Sequence, residues 1–176
     1  MKRIDKVLML TLILLSTTVW STPTPPENLK LVGKANLTIW FWDIYDAELY
    51  SSSGQYQSNS GPVFNSPLLI KISYNREISR DDLIEETASQ WERFNIDDDK
   101  KLRWLKSLGD IWPDVDDGDK IMFHIDNQGH CHFFYNEKFI GSVNNKEFSF
   151  HFANIWLKEN GPYPKMTKRL TGKKSN

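Results

Sequence analysis

The stretch from Trp112 to Trp156 constrains the fold more than any other part of the chain. Trp112-Pro113 halts a preceding helix, because the residue before a proline is pushed out of the helical region. Asp116-Asp-Gly-Asp119 reads as a turn, with Gly118 supplying a positive φ and the aspartates bonding local amides. It resembles a fragment of a calcium loop but lacks the remaining ligand positions and the closing glutamate. Residues 120–126 and 131–136 then form a hairpin through Asn127-Gln-Gly129. A second turn at residues 136–138 leads into a short strand over 139–143. Between Lys146 and Glu159, Phe148, Phe152, Ile155 and Trp156 fall at i, i+4, i+7 and i+8, an amphipathic helix. Gly161 is placed to cap it, and Pro162 prevents continuation. A hairpin, a third strand and a closing helix make the back half of an α+β domain.

The front half is less sharply written. Residues 29–50 read as two strands or one long bent strand. Leu31, Gly33, Ala35, Leu37, Ile39 and Phe41 hold one phase, and Trp40, Trp42 and Ile44 take the other. Such a change of phase implies a bulge or burial on both faces. Residues 51–67, rich in Ser, Gly and Asn, read as a surface loop, and 68–75 alternate as a strand. Ser79 can cap a helix over residues 80–95, with Asp82 completing an approximate capping box. Leu83, Ile84, Thr87, Trp91 and Phe94 would be its core side. A second helix is expected over 100–108, with Leu102, Leu105 and Leu108 buried and Asp97, Asp98 and Asp99 at its positive end. Pro164 can start a last short helix that Gly172 ends.

Residues 1–21 read as a cleavable export signal: Lys2, Arg3 and Lys6, then an apolar run from Val7 to Leu15 too short to anchor in a bilayer. Thr22 to Asn28 is a Pro-rich leader, 29–172 the folded domain and 173–176 a basic tail. A periplasmic location follows, with no integral membrane segment after cleavage. The whole chain carries a net charge of −1, near −3 without the signal, which gives no field for nucleic acid or an anionic membrane surface. Lys165, Lys168, Arg169, Lys173 and Lys174 are an exception that solvates the C-terminal helix and tail. Cys131 is the single cysteine, so no intrachain disulfide forms and packing alone must stabilise the fold.

Little in the chain points to a reaction centre. His124 and His132, counted outward from Gln128, are cross-strand partners on one face, but no third metal ligand is at hand. Neighbouring strand residues face opposite ways, so His130 and His132 do not activate the Cys131 thiol. Glu85 and Glu86 read as a solvated helix side, and no phosphate-binding glycine loop is present, so no cofactor is expected. The aromatics are the remaining candidates. Trp40, Trp42 and Tyr74 from strands, with Trp91 and Phe94 from the covering helix, either fill the core or line a cavity for an acyl chain or planar ring. Arg76 could pair with a carboxylate at its mouth.

Val32-Gly33, Ile44-Tyr-Asp-Ala47, Leu49-Tyr50, Trp112-Pro-Asp-Val115, Gly118-Asp119 and Phe139-Ile-Gly141 together resemble the bacterial chalcone isomerase-like family of exported proteins, over about Lys30 to Gly172. The resemblance implies an open-faced β-sandwich of mainly antiparallel strands with helices over one sheet. It also implies an apolar cleft, used for flavonoid chemistry in plant enzymes and for fatty-acid binding in non-enzymatic relatives. The plant enzymes rely on an arginine, a threonine, a tyrosine and an asparagine. Trp40, Ser79 and Glu86 fall where the last three are expected, so no chalcone isomerase activity is expected. The resemblance thus implies a periplasmic, non-catalytic protein holding an apolar small molecule. The alternatives are an isomerase or lyase with other catalytic groups, and an envelope interaction protein.

Overall fold

Alternation and turn chemistry in this chain build one antiparallel meander, seen in a computed structural model that describes residues 23–39, 41–58, 64 and 67–173. The export signal proposed over 1–21 and Trp40 lie outside the described residues. Six strands follow chain order in the sheet: β1 (Lys30–Ile39), β2 (Trp42–Ser51), β3 (Leu68–Tyr74), β4 (Lys120–Ile125), β5 (Cys131–Tyr135) and β6 (Lys138–Val143). Four helices, α1 (Arg80–Trp91), α2 (Asp98–Ile111), α3 (Lys146–Leu157) and α4 (Pro164–Leu170), cover one face. This is the α+β, open-faced arrangement expected of the sequence.

The change of phase near residue 40 comes from a hairpin rather than from one bent strand. Ile39 pairs with Trp42, so the two strands turn back on each other within two residues. A bulge adds to it: Leu37 pairs with Tyr45 and Thr38 with Asp43, which leaves Ile44 unpaired. A bulged residue shares a face with its neighbour, so Ile44 and Tyr45 both turn toward the helices. At the other end of the ladder, Val32 is the extra residue between Leu31 and Gly33. There α4 closes in: a Cβ on Gly33 would overlap the carbonyl oxygens of Arg169 and Leu170.

The helix ends follow their local chemistry. Ser79, Asp97 and Asn145 each accept a bond from the third helical residue, capping α1, α2 and α3. Trp112 ends α2 in an extended conformation before Pro113. Gly161 is not the cap expected for α3. The helix stops at Lys158, whose own N–H bonds Asn154, and Gly161 closes the following turn onto the Lys158 carbonyl. Asn136 and Glu137, at φ 46° and 70°, make the tight β5–β6 turn that matches sheet twist.

Under the helices lies an aromatic core. Trp91 is fully buried and meets Trp104, Phe148 and Phe152 edge-on at 5.7, 6.1 and 6.5 Å. Leu102, expected on the buried side of α2, is 66% exposed; Trp104, two residues on and so on the opposite side, takes its place. The outer face of the sheet keeps a small cluster of Leu69, Met122 and Phe134.

Candidate functional site

Between the sheet and the helices the core does not close. A cavity of about 470 Å³ remains, within the range of roughly 300–1,000 Å³ usual for small-molecule sites. One wall is sheet: Leu37, Tyr45, Ile72, Tyr74 and Phe123 all come from alternating positions on the helix-facing side. The bulge at Ile44 and the strand end at Ile39 carry that wall to the rim. Opposite stands α1, presenting Asp82, Leu83, Glu86, Thr87 and Gln90 at helical spacing. Trp112, Phe152, Trp156 and Met166 close the interior. Most of the lining is aliphatic or aromatic, with a few polar groups that can orient an occupant.

Those polar groups are specific. The Trp156 indole Nε1 donates to the Tyr45 phenol oxygen at 2.9 Å. Tyr74 packs edge-on to Tyr45, 6.2 Å between centroids. Burial raises both phenols well above the ordinary tyrosine range, so each stays protonated at neutral pH. Burial also raises the Tyr163 phenol, with a further push from the Glu86 charge. Gln90 is 6% exposed, and its Nε2 donates to Glu86 Oε1 at 2.5 Å. Among the described residues Gln90 Oε1 and Trp112 Nε1, both buried, have no hydrogen-bond partner.

The aromatic candidates do not share one place. Tyr74 lines the cavity. Trp91 belongs to the packed core behind it, and its periodic position on α1 had no way to separate the two roles. Phe94 lies under the Lys158 ammonium, 4.5 Å from the ring centre, beside a different and more open depression. Arg76 stacks over the Trp42 ring at 5.4 Å, and both line a surface depression outside the cavity. Trp40 lies outside the described residues. Sequence reasoning missed Tyr45, Gln90, Trp112 and Trp156 as lining residues. A glutamine on the apolar side of α1, one turn after Glu86, was the available signal for Gln90.

Other candidates resolve simply. His124 and His132 do pair across β4 and β5, with ring centres 6.0 Å apart on the outer face. Asp126 bonds His132 Nε2 at 2.9 Å. Among the described residues no three His, Cys, Asp or Glu groups are placed to hold a metal. Cys131 is fully buried on the other face, and burial pushes its thiol far up, away from the reactive thiolate. Asp119 accepts bonds from Tyr135 Oη and Asn136 Nδ2 at 2.6 and 2.8 Å, so its carboxylate holds the turn together. Among the described residues no helix is long and apolar enough to cross a membrane.

A family model described as chalcone isomerase-like matches residues 20–172. An uncharacterized protein of Haemophilus influenzae is 26% identical over 153 residues, spanning 86% of this chain and 73% of that protein. Among solved structures, a fatty-acid binding protein of Arabidopsis thaliana superposes with a TM-score of 0.63 at 12% identity, covering 87% of this chain and 92% of the other.

Proposed function

The chain belongs to the chalcone isomerase-like family, and from that membership we propose that it is a non-catalytic binding protein, exported to the periplasm, that holds an apolar small molecule between sheet and helices. The observation that carries the reading is the cleft itself, about 470 Å³, open at one side and lined mostly by aliphatic and aromatic side chains between sheet and helices. The Arabidopsis thaliana neighbour, a fatty-acid binding protein of the same fold, supports an apolar ligand. The non-catalytic part rests on how the candidate groups are engaged. Ser79, where the resemblance expects a tyrosine, is engaged as the α1 cap, accepting from the Asp82 N–H and donating to its carboxylate at 2.6 Å. Glu86 stands at the expected asparagine position and is held by Gln90. The periplasmic part rests on the basic and then apolar pattern of residues 1–21.

Native mass spectrometry of protein purified from periplasm tests this directly. The expected result is a discrete added mass that leaves on unfolding. An apo mass, with no apolar compound binding on subsequent titration, overturns the reading.

A second reading, an envelope interaction protein, has one observation of its own. Ile39, Phe41 and Trp42 cluster at the β1–β2 hairpin end and are 38%, 95% and 66% exposed.

A further inference from the structure

The charged side chains that line the cavity are all of one sign. Asp82, Glu85 and Glu86 line it, and no described lysine or arginine does. None of the three acids is in an ion pair among the described residues. Arg76 is drawn away onto Trp42, and Arg93 stands outside the lining, its charge reaching Tyr163.

Gln90 adds a second, independent observation. An ionised carboxylate only accepts hydrogen bonds, so the bond from Gln90 Nε2 to Glu86 Oε1 fixes which way the amide points. The amide oxygen is thereby turned from Glu86 and left buried with no donor among the described residues, on a residue that lines the cavity. A buried acceptor without a donor is costly and rare. The unpartnered Trp112 Nε1–H, in the same lining, offers a donor in turn.

We propose that the cavity takes an apolar molecule whose polar end carries N–H or O–H donors and no negative charge: a long-chain alcohol, amide or amine. The inference rests on the reading of the cavity as a ligand site. A donor on the ligand satisfies Gln90 Oε1, and a positive charge faces Glu86 and its acidic neighbours. A carboxylate end does neither. It sets oxygen against the Gln90 oxygen and adds a like charge to three already at the rim.

Isothermal titration of the purified protein at pH 7 with decan-1-ol, decylamine and decanoate varies the head and holds the tail constant. The alcohol and the amine are expected to bind about tenfold or more tighter than the carboxylate. Decanoate binding as tightly as the others overturns the head-group inference and leaves the cavity reading standing. Binding of none of the three overturns both. In Glu86→Gln, which removes the charge and also frees the Gln90 amide to turn, the amine should weaken several-fold more than the alcohol. In Gln90→Leu alcohol and amine should weaken while decanoate does not. Unchanged ratios in both variants overturn the assignment to these two side chains.

Discussion

The Trp156 indole N–H donates to the Tyr45 phenol oxygen at 2.9 Å, tying α3 to β2 across 111 residues of sequence and beside the cavity. Both side chains are largely withdrawn from water, and Tyr45 accepts the bond without ionising because burial holds its phenol protonated. Tyr45→Phe would strand the indole N–H in an apolar setting. A buried donor left unsatisfied costs about 1–3 kcal/mol. Urea unfolding of the variant should therefore show a lowered midpoint with an unchanged m-value. A midpoint equal to that of the parent protein would mean the bond contributes nothing net.

Two glycines should respond with opposite signs to the same added methyl. Gly33 lies where β1 meets the end of α4, and a Cβ there would overlap the Arg169 and Leu170 carbonyls. Gly33→Ala should destabilise by about 1–3 kcal/mol, the usual cost of overpacking. Gly109 is inside α2 with open space around it. There Gly109→Ala should stabilise by about 0.5–1 kcal/mol through helix propensity. Thermal unfolding of both variants checks the pair, and shifts of the same sign would contradict the packing at Gly33.

Acid should weaken the fold through His124 on the outer face. Burial, and then the charge of His132, pushes the His124 imidazole down to about 4. A histidine in an unfolded chain titrates near 6.5, so the unfolded state binds more protons between these two values. The stabilisation is complete above about pH 6.5 and is lost as pH falls toward 4. Asp126 works in the same direction. Burial raises it, but bonds from His132 and from the His130 and Gln128 amides outweigh that and hold it low. With His124 partly open to solvent, its share is about 1–2 kcal/mol after screening. His124→Gln should flatten the dependence of the urea midpoint on pH between 6.5 and 4. A slope as steep as that of the parent protein would assign acid sensitivity elsewhere.

Filling the cavity should separate binding from stability. Leu83 lines it from α1 and is only half-buried. Leu83→Trp puts an indole at that wall, where the ring enters existing space and so avoids most of the roughly 1–3 kcal/mol that overpacking a filled core costs. The expected outcome is loss of any co-purified mass with the thermal midpoint nearly unchanged. Retention of the ligand would show that it sits elsewhere.

What the amino-acid sequence determined by itself was local. The apolar spacing of α1 and α3, the cap at Ser79, the stop at Trp112-Pro113 and the turns at Gln128 and Asn136 each depend on neighbours a few residues apart. The strands, the hairpin register that pairs His124 with His132, and the helix order were legible for that reason. The phase change near residue 40 was visible but ambiguous, because a tight hairpin with a bulge and a single bent strand leave the same alternation pattern. Only the tertiary structure decided which aromatics line the cavity. Trp91 and Gln90 are adjacent on α1 and both buried, yet the indole packs against Trp104 and Phe148 while the amide reaches the cavity lining. That difference depends on which side chains from β2, α2, α3 and α4 arrive opposite each position. A cavity is volume that distant elements fail to fill, and no periodicity along the chain records it.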